Sequence, residues 1–233
     1  MPKGEGAQAE VERVLDGDTL VLRDGRTVRL IGINTPELGR DGRADEAFAR
    51  EARLELRRLA TPGSRLFIYP GREGRDRYGR TLAHLVDDDG RLLAESLLAD
   101  GLGYALAIAP NTTLADCLFS LERTARERQV GLWKLSPVKR LERGAALKAG
   151  FGVWRGRVTR TGLRKDGAWL VLDEQLFVLL PGSFRARVGT LRDRTVEARG
   201  WLVDRGRRSG AKDGTRQRWL LSISHPLHLV VMD

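Results

Sequence analysis

The sequence predicts a mainly β chain with some α, an α+β fold in two domains, and three observations carry that reading. Residues 11–133 alternate five strand-like runs with three amphipathic stretches. Residues 136–150 are polar and basic, with Pro137 near their start. Residues 151–233 then hold five more short strand patterns separated by turn signals. At 233 residues the chain is too long for one small barrel and long enough to bury two cores.

Taken in order, residues 11–15 and 20–22 flank the turn Asp16-Gly17-Asp18, and residues 27–33 follow a second turn at Asp24-Gly25, which makes a three-strand meander. Residues 44–60 read as a helix, because Ala44, Phe48, Ala52, Leu56 and Leu59 recur on one face and Thr61-Pro62-Gly63 stops it. Residues 65–69 and 81–86 read as the fourth and fifth strands, joined by a loop rich in glycine and arginine, and residues 92–99 and 114–130 supply two more helices. Within the linker, residues 141–149 could be helical. Beyond it, residues 152–159, 168–172, 176–180, 194–203 and 218–224 suggest a second, smaller OB-like β-barrel. The expected division is a leader at 1–10, a first domain at 11–135, a linker at 136–150 and a basic domain at 151–233. No short repeat links the halves.

The formal charge of +10 and an isoelectric point near 10.5 make a polyanion a plausible partner. From Phe151 onward there are 16 Lys/Arg against 8 Asp/Glu, leaving 25 against 23 for residues 1–150, so the cationic field belongs to the second domain. A single cysteine excludes an intrachain disulfide and a zinc site built on several cysteines. Cys117 falls in a helical apolar stripe with Leu114, Leu118, Leu121 and Ala125 and is expected to be a buried, inert thiol. The three scattered histidines, His84, His225 and His228, read as structural or surface residues. The most apolar stretch, residues 92–110, contains Glu95 and Asp100 and is broken by Gly101 and Gly103, so no membrane span is expected. Gly6-Ala7-Gln8-Ala9 is either the remnant of a trimmed signal, which would favour a secreted or extracytoplasmic location, or a polar leader. No protein partner is implied, and the chain reads as a monomer.

Three motifs carry chemistry. Asp16-Gly17-Asp18-Thr19, the run from Arg29 to Glu37, and Arg75-Asp76-Arg77-Tyr78-Gly79-Arg80 occur in that order. Together they supply acidic metal ligands, a base and two arginines, which is what cutting a phosphodiester requires: a hard cation on oxygen ligands offsets growing charge, a carboxylate takes a proton from water, and forked guanidinium donors bind phosphate oxygens in a way lysine cannot. Each residue also has a purely structural explanation. Asp16 and Asp18 could shape a hairpin, Arg29 could be an exposed strand residue, Glu37 could favour a helical turn begun by Thr35 and Pro36, and Arg80 could simply pair with Asp76.

These ordered motifs, with Pro110-Asn111-Thr112-Thr113 and a closing Gly131-Leu132-Trp133, resemble the staphylococcal nuclease family over residues 11–133. The resemblance implies a five-stranded OB barrel with three helices that hydrolyses DNA and RNA with calcium (Ca2+), leaving 3′-phosphates. It implies metal binding by Asp18 and by the backbone carbonyl of Thr35, water activation by Glu37, and phosphate binding by Arg29 and Arg80. One position departs from the family. Asn34 stands where the family has a second metal carboxylate, so calcium is expected to bind more weakly unless Asp16, Asp41, Asp45 or Glu46 compensates. The family's substrate-packing tyrosines before the Pro-Asn loop are also missing. The corresponding stretch is Ala105-Leu106-Ala107-Ile108-Ala109; Tyr104 does not align convincingly, and Tyr78 is expected to buttress the Arg80 loop.

In the second domain, strand alternation puts Trp219 with Leu221 and Ile223 toward the core, and Trp201 with Glu197 and Arg199 outward, while Trp154 and Trp169 are expected inside the barrel. Trp201 is therefore the residue expected to stack on nucleic acid. Arg205, Arg207, Arg208, Lys212 and Arg216, with Arg218, form either a solvated hairpin tip or a phosphate-tracking loop. The sequence thus supports a metal-dependent nuclease of broad sequence preference. The competing readings are a nucleic-acid-binding protein whose metal site Asn34 has weakened, and an accessory protein that binds another protein through its basic half.

Overall fold

The computed structural model describes residues 2, 4–39, 41–142, 146–206 and 217–232. The chain divides into two compact units, residues 1–136 and 137–233.

The first unit is a closed barrel. β1 (Ala7–Asp16), β2 (Thr19–Leu22) and β3 (Thr27–Leu30) form the meander, and β4 (Ile33–Asn34) follows a bend at Gly32. After α1 (Ala49–Leu59) come β5 (Arg65–Arg75), β6 (Thr81–Val86), α2 (Leu93–Ala99), β7 (Tyr104–Ala105) and α3 (Ala115–Glu127). The barrel order is β1-β2-β3-β6-β5, with β3 and β6 parallel and β1 closing on β5. Val11, Leu20, Val28, Ile68 and Leu85 fill it, and Leu56 of α1 and Leu97 of α2 join the same core. α2 packs on β6 and on both other helices.

Several boundaries differ from the sequence reading. The first strand begins at Ala7, inside the segment expected to be a leader, because Ala7 to Glu10 pair with β5. The third strand stops at Leu30. Gly32 takes a left-handed φ of 91°, and a Cβ there would stand 2.2 Å from Leu118 Cδ1, so only glycine allows the chain to bend under α3. The first helix starts at Ala49 rather than at residue 44, since Phe48 adopts a left-handed φ of 67°. Cys117 is exposed, contrary to expectation. It lies at the edge of the stripe, and Leu118 and Ala125 take the buried positions.

The second unit opens with β8 (Lys139–Arg140), which pairs in parallel with β9 (Gly150–Arg164). The segment expected to be a helical linker is thus part of this unit: residues 141, 142 and 146–149 are not helical, and Leu141 is buried in its core. β10 (Gly167–Leu172), β11 (Leu176–Pro181), β12 (Thr195–Asp204), β13 (Trp219–Ser222) and β14 (Leu229–Val231) complete it. The order β9-β10-β11-β13-β12 closes through the β12 to β9 pairing, and β11 and β13 are parallel. Both barrels therefore share one OB-type strand order. Trp154, Val158, Leu170, Leu172, Val178 and Phe184 form the second core, with Trp219 packed against its edge. No helix among the described residues is long and apolar enough to cross a membrane.

Candidate active site

The register pairs Asp16 with Thr19, which leaves Gly17 and Asp18 as a two-residue turn between β1 and β2. A Cβ at Gly17 would stand 2.6 Å from the Ala52 Cβ and 2.7 Å from the Thr35 Oγ1, so glycine is what lets this turn lie between α1 and Thr35. The Gly17 N–H donates to Asp16 Oδ1 at 2.9 Å. Both aspartates are buried, a costly placement for carboxylates unless donors surround them.

Asp18 is so surrounded. Its Oδ1 accepts from the Thr19 hydroxyl at 2.9 Å. Its Oδ2 accepts from the Thr35 backbone N–H at 2.9 Å and from the Thr35 hydroxyl at 3.0 Å, and forms an ion pair with Arg29 Nη2 at 2.9 Å. Arg29, opposite Thr19 on β3, is almost as buried as its partner. Its Nη1 donates to the carbonyls of Leu30 and Ile33 at 2.7 and 2.8 Å, while Nη2 also donates to Asn34 Oδ1 at 3.0 Å. Four of the sequence-predicted residues, Asp18, Arg29, Asn34 and Thr35, are thus joined by direct bonds.

Glu37 sits at the exposed rim of this cluster. Partial burial of its carboxyl, then repulsion from Asp16 and Asp18, raise its pKa above the ordinary range, against an opposing pull from Arg29. Its backbone is clamped by one side chain and one main-chain bond: the Glu37 N–H donates to Glu46 Oε2 and the Glu46 N–H to the Glu37 carbonyl, each at 3.0 Å. Asp45 accepts from the Gly39 N–H at 2.9 Å and pairs with Arg50. Asp45 and Glu46, considered from sequence as substitutes for a missing metal carboxylate, hold the loop that carries Glu37.

Arg80 is not bonded to that cluster. It ends a hairpin tip on which Asp76 Oδ1 accepts from the Tyr78 and Arg80 N–H groups at 2.9 and 3.0 Å, while Arg80 Nε donates to Asp76 Oδ2 at 2.7 Å. Burial pushes the Asp76 carboxyl up, but these donors outweigh it and the net pKa is lowered. Tyr78 is exposed, with the Arg77 and Arg80 guanidiniums 4.8 and 5.6 Å from its ring centroid. The pairing of Val28 with Thr81 puts Arg80 just beyond the strand beside β3. There it lines a groove of about 400 Å³ with Arg26, Arg75 and Tyr78.

One supporting residue gave no sequence signal beyond being an acid in a helix. Glu122 of α3 is buried, and its Oε2 accepts the Ala105 N–H at 2.6 Å. Ala105 and Tyr104 pair with Ile33 and Asn34, so this carboxylate anchors the strand beside Asn34. Asn111 clamps the loop that follows β7, accepting from the Glu73 N–H at 3.1 Å and donating to the Glu73 carbonyl at 2.9 Å. In the stretch before Pro110 and Asn111, Leu106 is buried and Ile108 exposed.

Among the described residues, no three His, Cys, Asp or Glu side chains form a metal-ligand group. The local chemistry nevertheless fits a hard cation. Asp18 and the Asn34 amide offer oxygen donors, and the repulsion of Glu37 by Asp16 and Asp18, which adds to burial in raising its pKa, is what a cation would relieve.

In the second unit Trp201 is 45% exposed, its ring edge-packed on Phe151 at 5.0 Å. The alternation argument for it rested on Glu197 and Arg199 facing water, and both are buried; Glu197 takes the guanidinium of Arg155 at 2.5 Å. A cross-strand ion pair allows a charged residue to be buried, and strand parity alone does not reveal it. Trp154 is buried as expected, whereas Trp169 is half exposed. Arg205 lies 5.5 Å from the Phe177 ring centroid. Arg207, Arg208, Lys212 and Arg216 lie outside the described residues.

The first unit is thus an OB-type barrel carrying a buried Asp–Arg pair, a carboxylate at its rim and a groove lined by three arginines. The chain belongs to the staphylococcal nuclease family. Residues 27–135 match the family described as staphylococcal nuclease homologue. Over 127 residues the chain is 31% identical to a thermonuclease of Staphylococcus intermedius, spanning 53% of this chain and 74% of that protein. It is 33% identical over 144 residues to a micrococcal nuclease of Shigella flexneri, spanning 57% and 77%. It is 31% identical over 130 residues to the endonuclease YncB of Bacillus subtilis, spanning 54% and 61%. These relatives make the chain a phosphodiesterase of the nuclease type, and nucleases of this family are in general metal-dependent.

Proposed function

We propose that the chain is a calcium-dependent nuclease that hydrolyses DNA, RNA or both with little sequence preference, and that its basic second unit assists substrate binding. The observation that carries the catalytic part is the bonded set Asp18, Arg29, Asn34 and Thr35 with Glu37 at its rim. Asp18, the Asn34 amide oxygen and the Thr35 carbonyl would hold the cation. Bound there, calcium supplies positive charge where negative charge grows on the phosphate.

The remaining work falls to the chain's own side chains. Glu37, with its pKa raised, is a carboxylate suited to accept a proton from water, since a stronger base gains more from the transfer. Arg29 is preorganised by two backbone carbonyls and two side-chain oxygens, so it presents a fixed cation to a phosphate oxygen. Arg80 engages Asp76 through Nε and the backbone and lines the groove, where its guanidinium would meet phosphate. In the second unit, Trp201 and the arginines from Arg205 onward are the proposed substrate contacts, supported by the exposed ring and by the charge excess of this half.

The test is cleavage of labelled single- and double-stranded DNA and of RNA with calcium, magnesium or a chelator. Metal-dependent cutting that a Glu37→Gln Arg80→Ala double variant loses supports the reading. Tight binding without cutting under any metal overturns it in favour of a nucleic-acid-binding protein.

A further inference from the structure

The outer face of the second barrel carries an aromatic and basic strip that the sequence reading did not select. Inward positions of β10 and β11 are taken by Ala168, Leu170, Leu172, Leu176, Val178 and Leu180, which lie in the core. Alternation therefore sends Trp169, Val171, Phe177 and Leu179 to the opposite face. The register sets Trp169 between Gly162 of β9 and Leu179 of β11, and Val171 between Arg160 and Phe177.

Glycine at 162 is required by this arrangement. A Cβ there would stand 2.3 Å from Trp169 Cζ2 and 2.4 Å from Cε2, so the indole is laid directly against the neighbouring strand. Its other neighbour is the Phe177 ring, 5.5 Å away and tilted by 33°. Val171 and Phe177 are buried at 0% and 1% exposure, and Trp169 is half-buried, so of this strip part of the Trp169 indole stays open to solvent.

The surroundings are cationic. Arg160 and Arg164 are exposed on the adjoining strand. Arg160 is shared with Glu174 at 3.1 Å, on a pair that is itself exposed. Arg185 caps the β9 to β10 turn by donating to the Lys165 and Gly167 carbonyls at 3.0 and 3.4 Å. On the far side the Arg205 guanidinium lies over Phe177 and donates to the Gln217 carbonyl at 2.9 Å.

β10 and β11 are the second and third strands of the barrel order, and in OB folds that face, with the turn between the first two strands, is where oligonucleotides bind. We infer that the second unit binds single-stranded nucleic acid on this face, with a base stacked on Trp169 and the phosphates beside it met by Arg160, Arg164 and Arg205. Single strands are favoured because an indole that rests against its own sheet can receive an unpaired base but has no means of entering a stacked duplex. Trp201 belongs to the fourth strand and is engaged edge-on by Phe151, so it is not part of this strip. The inference rests on the reading that the second unit assists a nuclease.

The experiment uses the full chain, in chelator, and a fluorescein-labelled oligothymidylate, with a parallel oligomer carrying one 2-aminopurine whose quenching reports stacking. Trp169→Leu is expected to weaken binding roughly five- to 150-fold and to abolish the quenching, whereas Trp169→Phe restores most of both. Removing Arg160 and Arg164 together should lower the log–log salt slope by about 1.4. Wild-type-like binding by a folded Trp169→Leu protein, or preference for duplex, would each overturn the site. Metal-dependent cleavage of short oligomers, measured separately, reports on the nuclease reading, so the two can fail independently.

Discussion

Arg29 Nη2 stands 2.9 Å from Asp18 Oδ2, in a pair whose side chains are only 12% and 7% exposed. The same nitrogen reaches Asn34, so one cation organises two of the three groups proposed to hold the metal. A buried pair is most costly to disturb when only one partner leaves, since the other stays charged and out of water. Arg29→Ala should therefore cut cleavage by about 10²- to 10³-fold and lower stability by roughly 3–5 kcal/mol, read from urea midpoints. Arg29→Lys should recover part of the stability and little of the rate, because an ammonium cannot span the same acceptors.

Asn34→Asp adds a charge to the proposed calcium site without changing its shape. At an effective dielectric of about 20 the added contact attraction is several kcal/mol before solvent and Arg29 offset it, so calcium should bind at least about tenfold more tightly. Titration calorimetry decides the matter: unchanged or weaker affinity would count against Asn34 as a ligand.

The Asp76 to Arg80 tip has a twin. Asp87 accepts from the Asp89 and Arg91 N–H groups at 3.1 and 2.8 Å and from Arg91 Nε at 2.9 Å, with Gly90 at φ 80° as Gly79 is at 81°. The turn is thus a structural unit, and only one copy carries a proposed site residue. Asp76→Ala should free Arg80 and lower kcat/KM about tenfold, while Asp87→Ala leaves it unchanged. Equal effects from the two variants would mean that Asp76 has no role in positioning Arg80.

His84 lies buried on β6 with Nδ1 unpartnered, and burial depresses its pKa to about 4. Below pH 6.5 the unfolded chain takes up a proton that the folded chain refuses until about pH 4. Stability should consequently fall as pH drops through that window, by up to about 3 kcal/mol from this group alone, and the loss should level off below it. Denaturation of His84→Gln between pH 7 and 4 should show a flatter dependence than the parent.

Cys117 is exposed, yet its pKa is raised by burial of the sulfur and by Glu95, whose Oε1 lies 3.7 Å away. The native thiol should react fully but slowly with a disulfide reagent at neutral pH, and Glu95→Gln should speed the reaction. A thiol that reacts only after unfolding would return Cys117 to the buried class.

Much of the site was legible in the sequence because its parts are local. Asp16 to Thr19 form a two-residue turn whether or not anything lies above it, and the tip at Arg80 is closed by bonds within five residues. Glu122 and Glu46 could not be found that way. Each acts on backbone from another element, Ala105 seventeen residues away and Glu37 nine residues away, and nothing in either sequence neighbourhood marks it.

By itself, the amino-acid sequence determined where strands alternate, where helices carry an apolar face, which half holds the positive charge, and the ordered motifs that identify the family. These follow from periodicity and residue chemistry, which need no partner. Only the tertiary structure decided that Arg29 binds Asp18 and Asn34 together, that Asp45 and Glu46 brace the Glu37 loop, and that the second barrel repeats the strand order of the first. It also decided that Trp169, not expected at the surface, stands half exposed against Gly162. The physical reason is common to all four: burial and hydrogen bonding depend on which distant backbone comes alongside, and strand register sets that.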